Sequence, residues 1–366
     1  MFTTYTSVKI FLDEVYPMKK SNFILLFLLI VGLLSIPAIV SADGNKTIID
    51  STGNSVTIPA NVSRVVTVDP FTSQFIFVIG ASDKLVGTCI GPSDKSVVNT
   101  TEPELASLPS AGCKTNVNIE QLLALKPELV ISSDTYTESN DKVKLAGVPL
   151  IQLDLETPED MIKSYEIIGQ VFDKEKEAGE YINFYNLNMA EVSNTTAGIP
   201  KEELKTVYFG QTDPLSTFGG DYYETDIAKT AGLDSVSKEL SGGSNKVSVD
   251  QIYTWNPDSV ILLPYCTVSV DELLADPAWK SLPAVETKNV YRMPKYIMSW
   301  ELPVPESILG TLWMQSVAYP EVIKFDMRNE ITDFYKKFYG VDLTSSQVDN
   351  ILQNQTPIIL ANKQSS

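Results

Sequence analysis

The chain has 366 residues, of which 43% are hydrophobic and 20% are charged, so it carries enough apolar surface for one large or two medium-sized domains. Its 28 basic and 46 acidic side chains give a formal net charge of −18, which disfavours a nucleic-acid partner because phosphates repel an acidic surface. The sequence contains no histidine, which excludes catalytic relays that need an imidazole and the H-E-x-x-H type of zinc site. We therefore expect no enzyme of the histidine-dependent classes.

The first predicted element is an export signal. Residues 23–40 are uncharged and mostly apolar, follow Met18-Lys19-Lys20 and precede Ser41 and Ala42. This pattern is typical of a secretory signal peptide over residues 1–42, with Met18 as a second candidate start of translation. A retained membrane anchor is the alternative, because such a segment is just long enough to span a bilayer. We therefore expect the rest of the chain outside the cytoplasm.

Three cysteines, Cys89, Cys113 and Cys266, allow at most one intramolecular disulfide. We expect this bond between Cys89 and Cys113, with Cys266 as a buried thiol. Direct ligation of a metal by thiolates is the alternative.

An internal repeat organises the chain. Residues 118–131 read NIEQLLALKPELVI and residues 248–261 read SVDQIYTWNPDSVI, at an offset of 130 residues. In each copy an acidic residue and a glutamine open a short amphipathic helix, which ends before Pro127 or Pro257 and is followed by a β-branched strand. Each copy therefore predicts a helix-turn-strand unit.

Further short strands are predicted at 64–68, 84–87, 149–153, 206–209 and 289–292. Their alternation with helices predicts two α/β lobes with parallel sheets, over residues 43–156 and 197–325. Residues 157–196 predict two connecting helices, with a helix start at Thr157-Pro158 and a break at 172–174. The second of these helices is long, so we expect the lobes to move little. Residues 326–366 predict closing helices at 326–339 and 344–352, followed by a tail.

These features resemble the substrate-binding proteins of ABC importers for iron-siderophore complexes, cobalamin and haem. The resemblance covers about residues 46–340, and its carriers are Ile58-Pro59, Arg64-Val65-Val66, both repeat segments, and Phe218-Gly219-Gly220 with Ala231-Gly232-Leu233. It implies two α/β lobes joined by one long helix, a ligand cleft between the lobes, and a permease with its ATPase as partners. By position it also implies that Glu120 and Asp250 dock onto the permease; stabilisation of a helix dipole is the alternative role.

Candidate ligand contacts follow the predicted strands. They are Phe71 and Tyr136 in the first lobe, and Phe218, Tyr222, Tyr265, Arg292 and Trp300 in the second. Aromatic faces suit the organic surface of a metal chelate, and Arg292 is a candidate clamp for a carboxylate or hydroxamate oxygen. Burial in the core is the alternative for each aromatic residue, and solvation is the alternative for Arg292. We find no carboxylate cluster for a bare metal ion, and we expect no resident cofactor.

We therefore expect a monomeric extracytoplasmic binding protein for a metal chelate, with an iron(III)-siderophore complex as the first candidate. One clamp in an acidic chain favours hydroxamate, citrate-like or corrinoid ligands over a highly anionic tris-catecholate. A cobalamin or haem binding protein of the same transporter class is one alternative. A sensor or an enzyme on the same scaffold is another, for which Asp69 and Asp134 are candidate acids.

Overall fold

The computed structural model describes residues 44–89, 103–323 and 325–352 of the chain. The predicted signal peptide, residues 1–42, and the end of the predicted tail, residues 353–366, lie outside the described residues. Within the described ranges, every helix is too short or insufficiently apolar to cross a lipid bilayer.

A parallel sheet forms the centre of the first lobe. The strands of this lobe are β1 (Asn45–Ile49), β2 (Ser55–Pro59), β3 (Val65–Thr67), β4 (Leu85–Gly87), β5 (Gly112–Cys113), β6 (Asn116–Val117), β7 (Leu129–Ser133) and β8 (Leu150–Leu153). Four of them form the parallel sheet in the order β4-β3-β7-β8, while β1 with β2 and β5 with β6 form antiparallel pairs. Every residue of β7 is buried, as expected for a central strand of a parallel sheet that is covered on both faces.

The second lobe repeats this arrangement. Its strands are β9 (Lys205–Gly210), β10 (Ser216–Thr217), β11 (Leu233–Ser235), β12 (Asn245–Lys246), β13 (Ser259–Leu262) and β14 (Val290–Arg292). The parallel sheet has the order β11-β9-β13-β14, and β10 pairs with β12 in an antiparallel ribbon. The predicted fold class, two α/β lobes with parallel sheets, is therefore confirmed.

Helices cover both sheets. In the first lobe they are α1 (Thr72–Val78), α2 (Pro103–Ser107), α3 (Ile119–Ala124) and α4 (Thr137–Leu145). The connecting helices are α5 (Pro158–Phe172) and α6 (Glu175–Thr196), and the second lobe has α7 (Tyr223–Thr230), α8 (Val249–Trp255), α9 (Val270–Ala275), α10 (Pro283–Glu286) and α11 (Ser307–Ala318). The closing helices are α12 (Met327–Tyr339) and α13 (Ser345–Leu352). Short 3-10 turns occur at Ser82–Lys84 and Lys201–Glu203.

The connecting helices begin and end as their sequence predicts. The Thr157 hydroxyl accepts a hydrogen bond from the Asp160 amide at 3.2 Å, which caps α5. Asp173 adopts a left-handed conformation with φ 53° and separates α5 from α6. The 22 residues of α6 correspond to a rod of about 33 Å. Its buried stripe includes Tyr181 and Tyr185, so α6 forms part of the core that both lobes share.

The closing helix α12 joins the two lobes a second time. Its Tyr339 ring packs against Phe77 of α1, with ring centroids 5.0 Å apart. Its Phe338 ring packs edge-on against Phe184 of α6, also at 5.0 Å. The Trp300 indole of the second lobe donates to the Tyr335 hydroxyl of α12 at 3.3 Å, so α12 contacts both lobes and the connecting helix.

The two copies of the sequence repeat occupy equivalent places. Each supplies the third strand of its sheet, β7 or β13. The helices before these strands are capped alike, since Asn118 Oδ1 accepts from the Gln121 amide at 3.0 Å and Ser248 Oγ accepts from the Gln251 amide at 3.1 Å. In both copies, the backbone amide of the repeated glutamine therefore donates the hydrogen bond to the capping side chain. Equivalence of the two segments confirms the repeat as a structural unit.

The acidic residue after the repeated proline has a structural role in both lobes. Glu128 Oε2 accepts hydrogen bonds from the backbone amides of Ser63 at 2.8 Å and Arg64 at 3.1 Å, and these bonds lower the pKa of Glu128. Asp258 Oδ2 likewise accepts from the Thr206 amide at 2.8 Å. In each lobe this carboxylate therefore fastens the repeat segment to the chain entering the neighbouring central strand.

Candidate functional site

The loops that follow the parallel strands carry the candidate site. In the first lobe, β3 is followed by Phe71 and β7 by Tyr136. In the second lobe, β13 is followed by Tyr265 and β14 by Lys295. The carboxyl ends of parallel strands lie at one edge of a sheet, which is where α/β proteins bind ligands. Each lobe therefore presents aromatic and polar side chains at the edge where a ligand is expected.

In the first lobe the site is built around a buried carboxylate. Phe71 and Tyr136 are both half-buried, so part of each ring remains accessible. Asp69 is fully buried between their loops and accepts hydrogen bonds from the amides of Phe71 at 2.9 Å and Ser133 at 3.0 Å. Burial raises the pKa of Asp69. Burial and the nearby Asp69 charge raise the pKa of Tyr136 to about 12, so its hydroxyl keeps its proton.

A lysine that sequence reasoning missed lies beside Phe71. A disulfide joins Cys89 to Cys113, the pairing that the sequence led us to expect. The next residue, Lys114, donates its amide to the Val68 carbonyl at 2.7 Å. Its Nζ atom lies 5.7 Å from the centroid of the Phe71 ring. The signal that could have found Lys114 is its place next to a cysteine whose disulfide draws it towards the strand ends.

The second lobe offers two accessible tyrosines. Tyr222 is 40% exposed and its ring is nearly parallel to that of Phe218, with centroids 6.3 Å apart. Tyr265 is half-buried, and its hydroxyl accepts a hydrogen bond from Lys295 Nζ at 2.6 Å. Lys295 Nζ also lies 4.7 Å from the centroid of the Tyr265 ring. Each lobe therefore combines an aromatic face with a lysine.

Three residues that we expected to contact the ligand, Phe218, Arg292 and Trp300, are instead buried. Arg292 is 4% exposed, and its guanidinium donates to the carbonyl oxygens of four residues: Leu263, Pro264, Cys266 and Val268. Trp300 is fully buried and donates its indole N–H to the Tyr335 hydroxyl at 3.3 Å. Phe218 is also fully buried, behind Tyr222. Arg292 thus shapes the loop after β13 instead of clamping a ligand, and the other two belong to the core.

Three glutamates of the second lobe, Glu224, Glu301 and Glu306, are buried. Glu224 at the start of α7 is buried, and burial, with a smaller contribution from the charge of Glu301, raises its pKa to about 8. Burial raises the pKa of Glu301 and Glu306 to about 7. Hydrogen bonds from the Ser299 hydroxyl to Glu301 and from the Met298 amide to Glu306 partly offset this rise, and the charge of Lys295 contributes less. A carboxyl group that holds its proton near neutral pH can donate a hydrogen bond.

The acids proposed from the repeat stand on helices and not in these loops. Glu120 and Asp250 are exposed and stand in the first turns of α3 and α8. Their equivalent positions in the two lobes follow from the equivalence of the repeat segments. Each carboxylate is therefore accessible from the solvent.

The acidic and cysteine side chains of the described residues are the candidate ligands for a bare metal ion. No group of three or more cysteine, aspartate or glutamate side chains there is arranged to hold a metal. Cys266 is fully buried, and burial raises the pKa of its thiol. The thiol form is therefore favoured over the thiolate that a metal would require.

Comparisons with known proteins agree with this architecture. The Haemophilus influenzae protein described as "Molybdate-binding protein MolA" is 27% identical over 88% of this chain and 98% of its own length. The Bacillus subtilis "Fe(3+)-citrate-binding protein YfmC" is 27% identical over 50% of this chain and 58% of its own length. A solved periplasmic solute-binding protein from Veillonella parvula is 29% identical, with a TM-score of 0.75, over 84% of this chain and 97% of that one.

A family comparison covers most of the folded region. The model of the family described as "Periplasmic binding protein" matches residues 65–297, which span both parallel sheets and the connecting helices. More than half of the chain is therefore matched, and the matched residues include both copies of the repeat. The chain belongs to the periplasmic binding protein family.

Proposed function

We propose that this protein is the extracytoplasmic solute-binding subunit of an ABC importer, and that it captures a metal ion already enclosed in an organic chelator, with a ferric chelate as the first candidate. The observation that carries the proposal is the presence of partly accessible aromatic rings at the strand ends of both lobes. They are Phe71 and Tyr136 in one lobe and Tyr222 and Tyr265 in the other. Such faces suit a ligand whose surface is largely organic.

The charged side chains near the aromatic rings indicate which kinds of chelate the site favours. Lys114 is exposed and lies beside Phe71, so an oxygen on the edge of a chelate bound there would meet positive charge next to an apolar face. Lys295 is 7% exposed and donates to the Tyr265 hydroxyl, so it holds Tyr265 in place. The whole chain is strongly acidic, and Arg292 is engaged by backbone carbonyls. These features favour hydroxamate or citrate-like ferric chelates, with cobalamin and haem as further candidates, over a highly anionic tris-catecholate.

A metal oxyanion is the second candidate ligand. The molybdate-binding relative aligns over 88% of this chain and 98% of its own length, which supports an oxyanion as a candidate. Molybdate and ferric citrate share one property, which is that the metal arrives within its own oxygen shell. Both fit a site whose described residues lack a ready set of metal ligands.

Delivery to the membrane is the second part of the proposal. Glu120 and Asp250 are exposed at equivalent positions of the two lobes, so a monomer would present two matched carboxylates to a permease. Pairs between carboxylates and arginines steer association and fix its geometry. Asp250 has a shorter side chain than Glu120, so its partner would have to approach more closely.

Native mass spectrometry of protein exported by a host grown in iron-sufficient medium tests the ligand class. The proposal predicts one bound mass that contains a metal together with its chelator, released unchanged on denaturation. A bound mass equal to molybdate would favour the second candidate. A chelator recovered in chemically altered form would contradict a binding function and favour an enzyme on this scaffold.

A further inference from the structure

A polar side chain stands at the same place after the central strand of each lobe. Asp69 follows Val65 of β3 by four residues, and Gln211 follows Val207 of β9 by four residues. Val65 and Val207 hold matching positions opposite the repeat strands β7 and β13. Asp69 and Gln211 are therefore equivalent, although nothing in the repeat segments reveals it.

Asp69 holds two loops with one carboxylate. Its Oδ1 atom accepts hydrogen bonds from the amides of Phe71 and Thr72, both at 2.9 Å, and closes the turn before α1. Its Oδ2 atom accepts from the Ser133 amide at 3.0 Å and from the Thr72 hydroxyl at 3.0 Å. The carboxylate thus ties the turn that carries Phe71 to the end of β7.

Ser133 carries this restraint to Tyr136. The Ser133 carbonyl accepts from Asn140 Nδ2 at 2.8 Å, and the Asn140 amide donates to the Tyr136 carbonyl at 2.9 Å. Tyr136 therefore lies in a loop whose two ends are both fixed. Through Asp69, the position of this loop is set relative to the turn that carries Phe71.

Gln211 serves the second lobe in a similar way. Its Nε2 atom donates to the Gly243 carbonyl at 2.7 Å, and its Oε1 atom accepts from the Ser216 hydroxyl at 3.1 Å. Gly243 packs directly on the hydroxyl end of Tyr222, so closely that a side chain at Gly243 would collide with that ring. Gln211 therefore holds the segment against which Tyr222 rests.

We propose that Asp69 and Gln211 are matched positioning residues, each of which fixes the aromatic contacts of its own lobe without touching the ligand. The inference rests on the proposed function, because it takes Phe71, Tyr136 and Tyr222 as ligand contacts. Hydrogen bonds from backbone amides to a buried carboxylate are strong and directional. Aromatic side chains held in place before the ligand arrives lose less conformational freedom on binding.

The variant Asp69→Asn distinguishes the hydrogen bonds that Oδ1 of Asp69 accepts from the hydrogen bond that Oδ2 accepts from the Ser133 amide. The carbonyl oxygen of asparagine can still accept from Phe71 and Thr72, whereas its NH₂ group cannot accept from Ser133. The matched control is Asp50→Asn. Asp50 is also buried and accepts four hydrogen bonds, but it serves the β1–β2 turn and the Gln152 amide of β8.

Amide hydrogen exchange of the ligand-free protein tests the restraint itself. In Asp69→Asn the Ser133 amide should exchange about tenfold faster or more, because it loses a bond to a buried charged acceptor. The Thr72 amide should change little, and Asp50→Asn should leave Ser133 unaffected. Unchanged exchange at Ser133 in Asp69→Asn would overturn the inference, whatever the ligand is.

Calorimetric titration with ferric citrate and with sodium molybdate tests the effect on binding. For the probe that the wild type binds, Asp69→Asn should weaken affinity about tenfold, Gln211→Met should weaken it severalfold, and Asp50→Asn should leave it unchanged. In a Tyr136→Ala background the effect of Asp69→Asn should shrink, because the residue acts through that loop. Equal losses in Asp69→Asn and Asp50→Asn, or full additivity with Tyr136→Ala, would contradict positioning. If the wild type binds neither ferric citrate nor molybdate, those two candidate ligands fail, and amide exchange at Ser133 alone decides the role of Asp69.

Discussion

Lys114 Nζ lies 5.7 Å from the centroid of the Phe71 ring, although the two residues are far apart in the sequence. They meet because the disulfide between Cys89 and Cys113 and the bond from the Lys114 amide to the Val68 carbonyl bring this turn to the end of β3. A cation over an aromatic face is stabilised by about 1 kcal/mol. The arrangement leaves an exposed positive charge beside a partly accessible apolar ring.

Replacement of this lysine should discriminate between acidic and neutral ligands. We expect Lys114→Met to weaken binding of ferric citrate by about tenfold, since one ion pair with a carboxylate would be lost, and to leave cyanocobalamin binding nearly unchanged. Isothermal titration calorimetry measures both affinities. The control is Lys142→Met, which removes an exposed lysine on α4 that pairs with Glu138. Equal losses for the acidic and the neutral ligand would contradict a role for the Lys114 charge.

Arg292 should be important for stability and not for ligand choice. Arg292→Met leaves the carbonyl oxygens around Cys266 without their donor, and we expect the free energy of unfolding to fall by about 3 kcal/mol. Urea denaturation measures this loss. The ratio of affinities for ferric citrate and cyanocobalamin should stay as in the wild type. A variant of normal stability that no longer binds acidic chelates would restore Arg292 as a clamp.

Arg292 and Trp300 show where sequence reasoning reaches its limit. Local pattern places Arg292 at the end of a predicted strand and Trp300 in the loop beyond it, and that much is correct. Their burial, however, depends on distant partners, because Arg292 is enclosed by the loop after β13 and Trp300 donates to Tyr335 of α12. Neither contact can be predicted from the local sequence. Hydrophobic periodicity indicates which face of one helix or strand is buried, but it does not indicate which distant residues pack against that element.

Most of the fold could be predicted from the sequence, because it depends on interactions between residues that are close in the chain. The repeat fixes helix, turn and strand by short-range chemistry, such as the cap at Asn118 and the proline that ends the helix. The break at Asp173 between α5 and α6 was visible in the same way. The hydrogen bond between the Ser133 amide and Asp69 could not be predicted from the sequence, because β3 and β7 become neighbours only in the folded sheet.

Glu224 should make stability depend on pH. Burial raises the pKa of Glu224 from the ordinary glutamate value of 4.5 to about 8 in the folded protein, so between these values the folded state binds more protons than the unfolded state. Stability should therefore fall as pH rises from about 5 to about 8. Glu224→Gln cannot titrate, and its melting temperature should exceed that of the wild type by a margin that grows with pH.

Thermal unfolding followed by circular dichroism at several pH values measures this margin. The exposed control Glu239→Gln should follow the wild type at every pH. Parallel curves for Glu224→Gln and the wild type would show that Glu224 titrates alike in the folded and unfolded states.

The double variant Glu120→Ala with Asp250→Ala should separate binding from delivery. Both side chains are exposed and lie outside the ligand loops, so ligand affinity should equal that of the wild type while uptake by cells carrying the cognate permease and ATPase falls to background. Uptake of radioactive iron presented as ferric citrate measures delivery. Normal uptake would leave these carboxylates with only a helix-dipole role.

The central claim is that the protein binds a metal that is already enclosed by a chelator or by its own oxygen atoms. One series of calorimetric titrations tests this claim most directly. The wild type is titrated with a ferric hydroxamate, ferric citrate, cyanocobalamin, haem, molybdate and bare ferric and zinc salts. The account predicts saturable binding at one ligand per protein for at least one wrapped metal, and none for the bare salts, because the described residues offer no set of metal ligands. Saturable binding of a bare salt, with no response to any chelate or oxyanion, would contradict it.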